Sequence, residues 1–161
     1  MTENHTPSIA PLEVIEAFNN GAITALQEMM QIGAYATTPP TAAFSDCTVS
    51  ATIRLLRANP GILNILLPLT TAMQLAAHYL PTGTILTDEI INDVAGELAN
   101  MVAGQAKTML KHTPYHFTLT TPDVIRAAKF KPPHSATVVS SIISDIGHLL
   151  IVVDLSPCPG A

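Results

Sequence analysis

Charged side chains are scarce in this chain. Asp, Glu, Lys and Arg make up 12% of its 161 residues, against about 25% in a typical globular protein. Apolar residues make up 48%, and the length suits one domain with a core of its own. The apolar excess fits either a large core or an interface between subunits, so a homodimer is our expectation.

Basic residues are also few. Seven Lys and Arg are scattered along a chain of net charge -5, whereas nucleic-acid binding needs a basic patch. The N-terminus has no charged segment followed by an apolar run, so no secretion signal is expected. The most apolar stretches contain Asn64 and Pro68, or Asp145 and His148, so none predicts a transmembrane helix. These absences indicate a protein that binds neither nucleic acid nor membrane.

Cysteine and histidine show no spacing suited to holding a metal. Cys47 and Cys158 lie in unrelated contexts, as expected of reduced thiols in a cytoplasmic protein. The six histidines lack a paired spacing, because Pro114 would break a helix joining His112 to His116. The chain also lacks a phosphate-binding loop, a dinucleotide-binding motif and a serine nucleophile motif. We therefore predict no metal and no cofactor of the protein's own.

Proline, glycine and periodicity signals predict a single domain over residues 11–156, with flexible ends at 1–10 and 157–161. We expect an α+β fold: a mainly antiparallel sheet of about six strands, with two long helices on one face.

The two halves of this domain resemble each other. Residues of about 11–81 and 87–156 each follow the order helix, strand, hairpin, and Glu16-x-x-Asn19 aligns with Glu97-x-x-Asn100. We interpret the halves as a duplicated unit; chance similarity is the alternative.

The longest predicted helix begins after Thr87, a good N-cap, and ends by Pro114. One side of it carries a broad apolar stripe expected to face the core. The stripe consists of Ile91, Val94, Leu98, Met101, Val102 and Met109.

The opposite side of this helix carries two acids and an amide. Asp93, Glu97 and Asn100 recur at i, i+4 and i+7, which places them on one face. The flanking positions are small: Gly96, Ala103 and Gly104. Two mid-helix glycines beside a polar row predict that another surface approaches closely there, although a solvated helix face would show the same spacing. A carboxamide can orient a water and a carboxylate can pair with a partner's lysine, so this face could complete another protein's active site.

The run DEIINDVAGELANMVAGQAKTML resembles the signature helix of the CheX and CheC family of chemotaxis phosphatases. The family motif is Asp or Ser, then Glu-x-x-Asn, then a proline further along; here these positions are Asp93, Glu97, Asn100 and Pro122. The similarity covers most of the chain and is greater to the single-domain CheX-like members.

The resemblance implies an enzyme that hydrolyses the aspartyl phosphate of a phosphorylated CheY-like receiver domain. The receiver would carry the Mg²⁺ and a lysine. Asn100 would hold the attacking water, and Glu97 would pair with that lysine. Asp93 either helps to place the helix on the receiver or is an ordinary surface acid. Gly96 and Gly104 would border the receiver.

The first half carries a degenerate copy of the motif. Glu16 and Asn19 are present, but Leu12 stands where Asp93 stands in the second half, so we assign this copy no role. Pro122 is expected to shape the loop beside the helix.

Two other functions use the same surface. The protein could bind a receiver as an adaptor without hydrolysing its phosphate, or it could be a structural subunit like the flagellar-switch relatives of this fold. The intact Glu97 and Asn100 pair disfavours the structural role.

Overall fold

The computed structural model describes residues 12–39, 41–127, 130 and 138–155; the predicted flexible ends lie outside them. The helices are α1 (Leu12–Met30), α2 (Leu69–Tyr79) and α3 (Asp88–Leu110), with a short 3₁₀ helix at Thr41–Asp46. The strands are β1 (Ala34–Thr37), β2 (Val49–Leu56), β3 (Gly61–Leu67), β4 (Thr118–Leu119), β5 (Asp123–Arg126), β6 (Val138–Ser144) and β7 (Gly147–Asp154). Among these elements no helix is both long and apolar enough to cross a membrane.

The strands form one antiparallel sheet in the order β1-β6-β7-β3-β2-β4. The short strand β5 lies on the same outer edge of β2 as β4, with Ala51 opposite Val124. The α+β prediction is confirmed, and β5 accounts for the strand beyond the expected six. A pattern of only four residues, DVIR, is too short to predict that strand from the sequence.

Each half of the chain supplies an edge of the other half's sheet. Strand β1 pairs with β6, whereas β4 and β5 pair with β2, and the two hairpins meet at the β3–β7 pair. This symmetric order is the one expected of two equivalent units; the duplication itself stays a hypothesis.

The main core lies between the sheet and the helices. Alternate strand residues such as Ile53, Leu63 and Ile151 are fully buried under α1, α2 and α3, as the period of two in a strand requires. Helices α1 and α3 approach closely, because a β-carbon at Gly21 would lie 2.8 Å from the backbone oxygen of Val102. The helices therefore form one layer on one face of the sheet.

The predicted apolar stripe of α3 is largely correct. Ile91, Val94, Leu98 and Val102 are buried and Met101 is half-buried, but Met109 is 49% exposed. The prediction was wrong for Met109, because this residue lies in the last turn of α3, where the periodicity continues but no described residue covers it.

The other face of the sheet carries a smaller apolar cluster, in which Phe44 of the 3₁₀ helix packs with Cys47 and strand residues. Part of this face is open: Tyr35 is 61% exposed and Ile125 is 55% exposed.

Candidate functional site

The start of α3 is fixed at two points. The hydroxyl of Thr87 accepts a hydrogen bond of 3.2 Å from the amide of Ile90, which confirms the predicted N-cap. From β5, Arg126 donates through Nε to Asn92 Oδ1 at 3.0 Å and forms an ion pair of 3.2 Å with Asp88. These contacts hold the first turns of α3 against the edge of the sheet. The polar residues Asp93, Glu97 and Asn100 follow directly after them.

Glu97 and Asn100 lie one turn apart on this segment, as their spacing predicted. Glu97 is exposed and Asn100 is half-buried. Within the part of the chain that the structure describes, neither side chain makes a hydrogen bond or an ion pair. Asp93, one turn towards the N-terminus, is likewise exposed. The helix thus presents a carboxamide and two carboxylates that have no hydrogen bond or ion pair among the described residues.

The small residues beside this row differ from expectation. Gly96 and Ala103 are buried, whereas a shallow exposed surface was predicted at both. A β-carbon at Gly96 would lie 3.3 Å from Cγ of Pro122, so the surface that approaches Gly96 belongs to its own chain. Gly104 is half-buried with open space above it. Of the two predicted partner-facing glycines, only Gly104 is accessible.

Shallow hollows lie on both sides of the acidic row. One of about 340 Å³ separates α3 from the end of α2, and it is lined by Tyr79, Leu80, Thr84, Ile90, Asp93, Val94 and Glu97. The other, of about 440 Å³, is lined by Glu89, Asn92, Asp93, Pro122 and Val124. Among the described residues, neither lining contains a lysine or arginine. The acidic row therefore carries negative charge that no basic side chain of these linings offsets.

The chemistry of this surface is incomplete by itself. No group of three or more His, Cys, Asp or Glu among the described residues could hold a metal ion. A carboxamide is neither a base nor a nucleophile at neutral pH, but it can donate and accept hydrogen bonds at once. The arrangement can orient a water and pair with a cation, and it needs the reacting group to come from elsewhere.

A family model of known proteins matches the part of the chain that contains α3. The family model described as "Chemotaxis phosphatase CheX" matches residues 49–144, which include Glu97 and Asn100. The chain belongs to the CheX family. No curated protein sequence matches it.

Solved CheX structures share the fold. CheX from Desulfovibrio desulfuricans is 19% identical with a TM-score of 0.77, over 90% of this chain and 100% of that one. CheX from Vibrio vulnificus is 21% identical with a TM-score of 0.75, over 89% and 97%. A Borrelia burgdorferi complex of CheX with CheY, BeF3 and Mg²⁺ is 19% identical with a TM-score of 0.70, over 88% and 97%.

Glu16 and Asn19 of α1, predicted to be a degenerate copy of the motif, differ in their surroundings. Glu16 is exposed, but the side-chain oxygen of Asn19 is enclosed and has no hydrogen-bond partner among the described residues. Asn100 has no such enclosed atom. Asn19 could therefore not present its carboxamide oxygen to a partner as Asn100 can.

The hollow between α2 and α3 was not predicted from the sequence. Its rim and floor include Tyr79, Leu80 and Ile90, none of which belongs to the CheX motif. The available signal was the presence of apolar residues on both sides of the Pro81–Thr84 loop, next to the acidic helix.

Proposed function

We propose that this protein stimulates hydrolysis of the aspartyl phosphate on a phosphorylated CheY-like receiver domain. The observation that carries the proposal is the pair Glu97 and Asn100, one turn apart on a fixed helix and without partners among the described residues. Such side chains can enter a foreign site without first breaking contacts of their own, which lowers the cost of binding.

The chemistry is divided between the two proteins. On the receiver, Mg²⁺ and a lysine would stabilise charge on the phosphoryl group. A water attacks the phosphorus, the bond from phosphorus to the aspartyl oxygen breaks, and the carboxylate leaves with the electron pair. Asn100 would hold this water in line by accepting through Oδ1 or donating through Nδ2. No cofactor of the phosphatase itself is required.

Glu97 would pair with the receiver lysine and fix the docking geometry. Asp93 shares the exposed face one turn away, and Gly104 leaves room for the receiver's surface. Gly96 would act indirectly, because its contact with Pro122 sets the position of the turn that carries Glu97.

Membership of the CheX family supports a phosphatase role, and the Borrelia complex supports a receiver as partner. We place the activity in the cytoplasm as part of the same proposal.

The test measures phosphate release from purified phosphorylated receivers of the same organism, with and without this protein. Release that is faster with the protein than by the receiver alone supports the phosphatase. Binding without faster release would favour the adaptor instead, and absence of both for every receiver would contradict the proposal.

We also propose a homodimer, on the basis of the low charge of the chain and its open sheet face. Large apolar side chains on that face, Tyr35, Leu56, Ile62 and Ile125, are 42% to 61% exposed, which is typical of surfaces that become covered. Sedimentation at micromolar concentration should show dimers; a single monomeric species would contradict this.

A further inference from the structure

The hollow between α2 and α3 combines an apolar floor with an acidic wall. Leu80 and Ile90 are half-buried and Val94 is buried, whereas Asp93 and Glu97 line the same hollow and are exposed. Tyr79, which is 41% exposed, stands at its rim. The same Glu97 that carries the proposed pairing with the receiver therefore forms one wall of an apolar recess.

A closed turn presents further apolar surface beside this recess. The hydroxyl of Thr84 donates to the carbonyl of Pro81 at 2.6 Å and its amide donates to the same oxygen at 3.1 Å. Gly83 permits the turn with a φ of 90°. The next residue, Ile85, is 82% exposed. The two hydrogen bonds fix the backbone up to Thr84, and Ile85 follows directly with its side chain in solvent.

The charge of the recess restricts what can fill it. Within the described ranges no lysine or arginine lines it, and neither Asp93 nor Glu97 has an ion-pair partner. A purely apolar occupant would remove water from these carboxylates without compensation. A partner segment that carries both an apolar side chain and a cation can cover the apolar floor and pair with the acidic wall.

We propose that this recess, with Ile85, receives an apolar side chain of the receiver segment that carries the cation paired with Glu97, and so selects among receivers. The inference rests on the proposed function. In an extended segment neighbouring residues are about 3.3 Å apart and their side chains alternate between faces. A side chain two positions from the cation therefore points the same way and lies over the recess once the cation meets Glu97. Burying one such side chain is worth about tenfold or more in affinity.

The test compares Ile85→Ser and Tyr79→Ser with the matched control Met109→Ser. Met109 is an exposed apolar residue of the same helix as Glu97, about 18 Å further along its axis. The dissociation constant for a receiver loaded with Mg²⁺ and beryllofluoride, and the KM and kcat for the phosphorylated receiver, are measured for each variant. We expect a rise of about tenfold in the dissociation constant and KM for Ile85→Ser and Tyr79→Ser, with kcat unchanged, and no change for Met109→Ser.

A receiver variant identifies the occupant. Replacing an apolar residue two positions from the receiver's lysine by serine should weaken binding to the unaltered protein by a similar factor. Combining it with Ile85→Ser should add little, since both remove the same contact.

The possible failures are distinguishable. If the unaltered protein binds receivers but all three serine variants behave alike, the recess has no role and the proposal is overturned while the phosphatase function stands. A loss of kcat in Ile85→Ser at unchanged KM also overturns it. If the unaltered protein neither binds nor dephosphorylates any receiver, both proposals are wrong.

Discussion

Pro122 packs against Gly96, the residue that precedes Glu97 in α3. A β-carbon at Gly96 would be 3.3 Å from Cγ of Pro122 and 3.4 Å from Cγ2 of Val124. The edge of the sheet therefore supports α3 at the turn that carries Glu97. This contact gives Pro122 a structural role beyond shaping a loop.

The two glycines of α3 should respond oppositely to alanine. At Gly104 no described residue outside the backbone of α3 itself lies within 4 Å of the added carbon, so Gly104→Ala should raise the free energy of unfolding by about 0.5–1 kcal/mol through helix propensity. At Gly96 the same propensity gain is opposed by crowding against Pro122 and Val124, so Gly96→Ala should be neutral or destabilising. Urea unfolding of both variants measures this, and an equal gain at both positions would contradict the close packing.

Asn100→Ala should lower the rate of receiver dephosphorylation by about 100-fold or more, because a group that positions the reacting water acts mainly in the transition state. Its urea midpoint should stay close to that of the unaltered protein, since Asn100 has no hydrogen bond to lose among the described residues. Single-turnover phosphate release is the measurement. Full stimulation by a folded Asn100→Ala protein would show that the assigned role is wrong.

Glu97→Gln should weaken receiver binding by about tenfold at low salt and reduce its dependence on salt, because the substitution removes an ion pair across the interface. Glu16→Gln is the matched control: it removes the same charge from the exposed acid of the degenerate copy. Binding is titrated with each variant at several salt concentrations. An equal effect of both substitutions would mean that overall charge, and not a specific pair, attracts the receiver.

Cys47 should make stability fall at alkaline pH. Burial, assisted by the carboxylate of Asp46, raises the pKa of the Cys47 thiol from 9.0 to about 12. Between these values the unfolded chain loses this proton and the folded chain keeps it, so the free energy of unfolding decreases as pH rises above about 9. Below pH 9 both states are protonated and the thiol contributes no pH dependence.

The measurement is urea unfolding of a Cys158→Ser protein from pH 8 to pH 11, compared with a protein that also carries Cys47→Ala. The second protein should lack the part of the alkaline decline that is due to Cys47. Identical pH profiles of the two proteins would contradict the raised pKa.

Much of α3 could be predicted because its determinants are local. The apolar spacing of Ile91, Val94 and Leu98 identified the buried side, and Thr87 marked the first turn. The exposure of Glu97 followed from the same periodicity. These features depend on residues within a few positions of one another, so the sequence contains them directly.

The environment of Gly96 could not be predicted in the same way. Helical periodicity placed it beside Glu97, but its burial depends on β5, whose partner β2 is distant in the chain. Local signals are also a poor guide at the start of α2, where the sequence offers Thr70 and Thr71, residues of the type that caps helices. The N-cap is Pro68, no side chain caps the helix there, and Thr71 is buried. The burial of Gly96 and the absence of a threonine cap on α2 therefore depend on the folded surroundings and not on the local sequence pattern.

Because each half supplies edge strands to the other half, the sheet cannot be completed until both halves have been synthesised. Ala34 of β1 lies opposite Ser144 of β6, so β1 leaves the ribosome long before the strand with which it pairs. Until β6 emerges, Ala34–Thr37 lacks the only neighbour that it has in the described sheet. The sheet of this domain can therefore be completed only after β6 has been synthesised, which makes its folding depend on contacts between residues distant in the sequence.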